Sequence, residues 1–187
     1  MFHEERPLHA RPKTRRFWLP LIAMSLWLAM IPAAGSAQDF TIGLMGGIGG
    51  ATDAEPDTGF DNTGFQLLFA METDLSTRFS ARLGQLDLDS SDNDFFQADL
   101  SYLTLSGEYM QAADYYESGL FVGLGYYQID GNLFTPDDDS LGLNVGASGD
   151  FRITDRFSVL AEFSIHYADL EIAQFFAMAH IGVGFRF

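Results

Sequence analysis

Ser164 and His166 stand two residues apart in the segment FSIHYA, and His180 follows near the end of the chain. A hydroxyl beside an imidazole is the minimum of an activated nucleophile. Two histidines are half of a transition-metal site. Both readings fall short. Nothing around Ser164 marks an oxyanion hole, and no third ligand has the spacing that a metal requires. The histidines are therefore expected to be structural or solvated, with no catalytic residue and no cofactor. The chain has no cysteine, which excludes disulfides and thiolate metal sites.

Two further sets of residues carry charge in a pattern. Glu72, Arg82, Glu108, Asp150, Arg152, Glu162 and Arg186 are embedded in apolar or glycine-rich segments. Buried charges must pair, because an isolated one costs several kcal/mol. Arginine and carboxylate side chains pair well through bidentate hydrogen bonds. The second set is acidic and clustered in the stretches between those segments: Asp53, Glu55, Asp57 and Asp61; Asp87, Asp89, Asp92 and Asp94; Asp130, Asp137, Asp138 and Asp139; Asp169 and Glu171. These stretches are read as loops. The run Asp87, Asp89, Asp92, Asp94 is dense enough in oxygen to attract a hard cation. It lacks the glycine and the terminal glutamate of a calcium loop, so no metal site is assigned beyond a low-affinity one. Solvation of the loops is the plainer reading.

The elements that hold these residues follow from hydrophobic patterning. Hydrophobic residues make up 47% of the chain and charged residues 19%. No stretch after residue 31 approaches the ~20 apolar residues of a membrane helix. The hydrophobicity is spread instead over eight segments of period two, the signature of strands. They are Phe40–Gly49, Thr63–Glu72, Arg78–Leu86, Gln97–Met110, Gly119–Ile129, Leu141–Arg152, Phe157–Tyr167 and Phe175–Phe187. One face of each is apolar, for example Phe157, Val159, Ala161, Phe163, Ile165 and Tyr167. The other is polar and glycine-rich, with Gln66, Asn144, Ser148, Ser164, His166 and His180. The fourth segment is ambiguous in phase; turning Leu103, Leu105 and Tyr109 to the apolar side keeps Glu108 off it.

A soluble barrel buries the apolar face, whereas a membrane barrel turns it outward to lipid. Three features select the second. The connections alternate long and short, as expected when the turns at one membrane surface are tight and the loops at the other are long. Aromatic residues gather at both ends of the segments, as interfacial girdles do. The chain ends in GVGFRF, an alternating strand closed by Phe185 and Phe187.

Residues 1–37 are read as a secretory signal and 38–187 as the barrel. Arg6, Arg11, Lys13, Arg15 and Arg16 precede the apolar stretch Phe17–Ile31, and Gly35 and Ala37 are small enough for cleavage before Gln38. Removal takes five of the 10 basic residues and two of the 26 acidic ones, moving the formal net charge from −16 to −19. A basic nucleic-acid footprint is excluded.

The stretch GASGDFRITDRFSVLAEFSIHY, residues 146–167, together with the GVGFRF ending, resembles the outer membrane β-barrel domain proteins of the OmpX/OmpA-like and opacity-like group. That resemblance implies an all-β fold: an eight-stranded antiparallel up-and-down transmembrane barrel with both termini periplasmic. It implies a Gram-negative-type outer membrane, contact with the bilayer and lipopolysaccharide, and Phe185 and Phe187 as the signal read by the barrel assembly machinery. A closed barrel has no free edge, so a monomer is expected. The charged residues then face a narrow lumen, as a plug rather than an ion path, with Glu162 and Arg152 as the expected pair. The barrel lipid A deacylases carry a His-x-Ser element near the outer rim. Here the corresponding stretch is His166-Tyr167-Ala168, without the serine. A non-enzymatic structural or surface-interaction barrel is thus the first functional expectation. The alternative is a narrow OmpW-like channel for small or apolar solutes.

Overall fold

A computed structural model describes residues 40–54, 58–73, 76–89, 97–131 and 137–187. The expected signal lies outside the described residues. Eight strands follow one another: β1 (Phe40–Ala51), β2 (Asn62–Thr73), β3 (Thr77–Asp89), β4 (Gln97–Ala112), β5 (Tyr116–Gly131), β6 (Asp138–Arg152), β7 (Phe157–Ala168) and β8 (Phe175–Arg186). Each pairs antiparallel with the next, and β8 closes on β1. All eight sequence-derived segments are strands. Their connections are short after β2, β4 and β6 and longer after the other strands.

The register fixes the shape. Leu44 lies opposite Leu67, which continues through Leu83, Leu103 and Tyr126 to Leu141 on β6. In the other direction Leu44 leads through Val183 and Val159 to Phe151, also on β6. The two routes meet ten residues apart. That stagger tilts the strands by about 40° from the barrel axis. The row itself is apolar and points outward, as Leu44, Leu83, Leu141, Val183 and Phe151 show by their exposure.

Closing the ring requires β8 and β1 to approach closely. Gly182 permits it: a Cβ there would overlap the carbonyl oxygen of Leu44.

Above the apolar row, toward the long-loop end, the pattern inverts. On β3, Leu86 and Leu88 point inward and are buried, while Asp87 is exposed. On β4, Ala98 and Leu100 are inward and Asp99 is exposed. On β5, Tyr127 and Ile129 are inward, and Gln128 and Asp130 are exposed. An apolar face turned outward within the band and inward beyond it is what a strand does when its outer solvent changes from lipid to water. β3 to β5 therefore stand clear of the apolar band.

This corrects the reading of residues 87–96 as a loop. β3 continues through Asp87 to Asp89, and Asp87 accepts a hydrogen bond from the Thr63 hydroxyl at 3.2 Å. The side chain of Asp89, with Asp92 and Asp94, lies outside the described residues.

The interior has two halves. At the long-loop end the inward side chains form a continuous apolar cluster, including Leu86, Leu88, Leu100, Tyr102, Tyr127, Ile129, Phe176 and Met178. At the short-turn end the wall is charged on one side and lined on the other by Met45, Leu68, Ala70 and Leu160.

Candidate functional site in the barrel lumen

Inward positions on β3, β4 and β7 bring three charges together without any local sequence proximity. Arg82 lies at the centre and is fully buried. Its Nε donates to Glu162 Oε2 at 2.8 Å, and its Nη2 donates to Glu108 Oε1 at 2.5 Å. Its Nη1 donates to Ser80 Oγ at 2.6 Å, and its guanidinium carbon sits 4.0 Å from the centre of the Phe121 ring. One cation is thus shared by two carboxylates and an aromatic face, which suits the planar donor fork of arginine.

Glu108 is held from the other side as well. Arg78 donates to its Oε2 from Nε at 2.8 Å and from Nη2 at 2.5 Å. The Ser80 hydroxyl donates to its Oε1 at 2.6 Å. Above Arg82 the chain of bonds turns neutral: Gln66 Nε2 donates to Glu162 Oε1 at 3.1 Å, and Tyr102 donates to Gln66 Oε1 at 2.9 Å.

Toward the short-turn rim the pairing loosens. Asp150 lies 4.0 Å from Arg78 and 3.5 Å from Arg186. Arg186 is 3.0 Å from Glu72 and 3.4 Å from Glu117. Arg152 pairs with Glu117 at the rim, with 40% of its side chain exposed.

Six of the seven predicted lumen charges occupy inward, buried or half-buried positions; Arg152 has the inward phase but sits at the rim with 40% of its side chain exposed, and one predicted pairing is wrong. Glu162 pairs with Arg82, not with Arg152. Glu162 is opposite Ser148 on β6, whereas Arg152 is opposite Ser158, a full four residues nearer the rim. The tight turn makes these strands adjacent but does not bring those two side chains to one level.

Two members of the network are missing from the sequence-derived set. Arg78 shares a face with Arg82, so the phase that turns Phe79, Ala81 and Leu83 outward already places it inside. The alternation alone starts β5 at Gly119, which leaves Glu117 in a connection. In fact the strand begins at Tyr116, and Glu117 has the inward phase of Phe121.

His166 belongs to a separate bonded group. The Tyr127 hydroxyl lies 2.9 Å from His166 Nδ1, and Ser164 Oγ lies 2.8 Å from His166 Nε2. The serine and imidazole that the sequence places two residues apart are thus in contact, with a tyrosine on the second ring nitrogen. Their surroundings decide their role. His166 and Ser164 are buried, and Tyr102 and Tyr127 pack on the imidazole at ring-centre distances of 5.3 and 5.6 Å. This is a bonded core group beneath the apolar cluster. His180 is opposite Glu162 in register.

At the C-terminal end, Phe185 packs edge-on against Phe157 at 5.0 Å and against Phe187 at 4.9 Å. Tyr116 stacks on Phe151 at 6.1 Å on the same rim. The aromatic girdle predicted for the short-turn end is present.

No protein-family model and no curated protein matches the chain. Solved structures do match in fold. A major outer membrane protein from Thermus thermophilus is similar with a TM-score of 0.62 and 15% identity, over 81% of this chain and 100% of that one. Neisserial surface protein A is similar at a TM-score of 0.61 and 12% identity, covering 81% and 96%. Ail, the attachment invasion locus protein of Yersinia pestis, is similar at 0.53 and 15%, covering 80% and 97%. The fold is that of the small eight-stranded outer-membrane β-barrels.

Proposed function

We propose that the chain is a non-enzymatic outer-membrane barrel with a closed lumen, which acts by presenting its long loops at the cell surface. Residues 1–37 direct export and are removed, and residues 38–187 form the barrel. Both termini face the periplasm, so the acidic connections face outward. Phe185 and Phe187 serve the assembly machinery. The bilayer and its lipopolysaccharide are the immediate partners, and the barrel is a monomer.

The observation that carries this reading is the filling of the lumen. One half is packed with apolar side chains, and the other is crossed by Arg82 bonded to both Glu108 and Glu162. A ring of eight strands leaves room for side chains and little else, and large inward side chains in both halves support the closed reading. Burial of His166 and Ser164 supports the non-enzymatic part, since a nucleophile must meet its substrate.

Single-channel recording in planar bilayers tests it. The folded protein is expected to give no unitary current steps. Reproducible steps would overturn the closed lumen and favour the second reading, a narrow channel for small or apolar solutes. That reading draws on the apolar lining of the long-loop half.

A further inference from the structure

The β7–β8 connection, residues 169–174, is built differently from the wall it joins. Leu170 and Ala173 are buried in the apolar cluster of the long-loop half, and Ile172 packs against it. The connection therefore folds inward over the lumen. Its base is tied by backbone bonds: Ala168 N donates to the Gln174 carbonyl at 2.9 Å, and Thr52 N donates to the Phe175 carbonyl at 2.9 Å.

Its body is held by one side chain from the β1–β2 connection and one from the first residue of β6. Asp53, just past β1, accepts from Gln174 N at 3.1 Å and from Phe175 N at 3.0 Å. Asp138, at the start of β6, accepts from Glu171 N at 2.8 Å. Gln174 Nε2 donates to Asp169 Oδ1 at 3.0 Å, closing the connection on itself.

We infer that residues 169–174 form a lid on the long-loop end of the lumen, strapped shut by the carboxylates of Asp53 and Asp138. The physical case rests on how the closure is shared. The apolar tip favours the closed state by burial. The straps are side-chain acceptors, Asp53 exposed on the β1–β2 connection and Asp138 half-buried at the first residue of β6, and their bonds to the connection are not rungs of a ladder. Segments held in this way open at much lower free energy than the sheet. Asp53 takes two amides and Asp138 takes one, and the two hold the connection from different strands of the rim. Releasing both removes the lateral hold and leaves the tip alone to keep the lid down.

The assignment also gives two of the loop acids a role beyond solubility. Asp53 and Asp138 serve as caps for backbone N–H groups, in the manner that makes aspartate effective at amide-rich turns.

The test uses the full folded chain in detergent micelles. The chain has no cysteine, so Leu170→Cys gives a single thiol. With both straps intact, a polar maleimide is expected to label the thiol at this position slowly. In the Asp53→Ala, Asp138→Ala background, labelling should accelerate by about tenfold, the ratio set by a change of ~1.4 kcal/mol in the opening equilibrium. Amide exchange checks the same opening without the thiol. In the cysteine-free chain, the double alanine variant should speed exchange at Ala168 and Leu170, neither of which is bonded to the replaced aspartates, and leave Gly182 unchanged. Equal rates with and without the straps, in both measurements, would overturn the lid. So would a common acceleration that includes Gly182, because that would report loosening of the whole barrel. Labelling is read independently of current, so the lid and the closed lumen stand or fall separately.

Discussion

The two halves of the barrel interior are held by different physics. At the short-turn end, Arg82 and Arg78 hold Glu108 and Glu162 in a chain of directed bonds, each of which depends on its partners. At the long-loop end, Leu86, Leu88, Leu100, Ile129, Phe176 and Met178 pack together without direction. The difference follows from what lies outside each half. Within the apolar band the outer face takes most of the hydrophobic residues, and the inner face holds polar ones that must satisfy each other beside the patch of Met45, Leu68, Ala70 and Leu160. Beyond the band the outer face meets water, so the inner face is free to be apolar. Apolar burial drives the upper half as it would a soluble barrel. In the lower half the contents are a matter of mutual satisfaction.

The comparison breaks most sharply at Arg82. Arg82→Ala would leave Glu162 and Glu108 short of a buried partner, and removing one member of a buried ion pair costs about 3–5 kcal/mol. The expected result is a large fall in the urea midpoint for unfolding from vesicles, followed by the gel shift between folded and unfolded forms. Replacing Arg82 and Glu162 together with apolar residues should recover much of that loss, because no uncompensated charge remains on that side. If the double variant is as unstable as the single one, the lower half is not held by charge compensation.

A smaller and non-directional loss is expected in the upper half. Leu100 is fully buried among side chains of the same cluster. Leu100→Ala should cost about 2–4 kcal/mol through lost burial and an unfilled cavity. Unlike the lower half, no second substitution at a bonded partner should restore it; only a larger apolar neighbour filling the gap should. A loss below ~1 kcal/mol in the same urea measurement would mean that the upper half is loosely filled, and the contrast between halves would fail.

These halves are not equally visible in the sequence. The outward apolar face can be read strand by strand, since alternation over about ten residues is a repeated signal and every strand repeats it. The inverted pattern above the band cannot. Leu86-Asp87-Leu88-Asp89 alternates as cleanly as any strand, yet its apolar phase is opposite to that of Phe79, Ala81 and Leu83. One segment with two phases looks like a strand followed by a loop. The same inversion makes β4 ambiguous, with Leu100 on one face and Leu103 on the other. Most of the charged residues are legible because they stand on the polar phase, whereas Glu117 is not, because it precedes the alternation of β5. Their partners are not legible, because pairing depends on the stagger around the ring. Arg82 on β3 reaches Glu162 on β7 across the lumen, 80 residues away in sequence.

Arg152 shows the cost of inferring partners from adjacency, and it supplies the mildest test of the comparison. Proximity in the β6–β7 hairpin suggests that it holds Glu162 and that its loss destabilises the barrel. The register instead sets it at the rim, partly exposed, against Glu117. Pairs in which the cation is this exposed contribute about 0–1 kcal/mol, and the buried Glu117 is not left alone when Arg152 goes. Glu117 also keeps a second cation, since Arg186 Nη2 donates to its Oε2 at 3.4 Å. Arg152→Ala should therefore shift the stability read from the urea midpoint by less than ~1 kcal/mol, well short of Arg82→Ala. A change comparable to Arg82→Ala would mean that the directed network reaches the rim as a single unit. The boundary between interior charge and surface charge would then have to be drawn outside Arg152 rather than between it and Asp150.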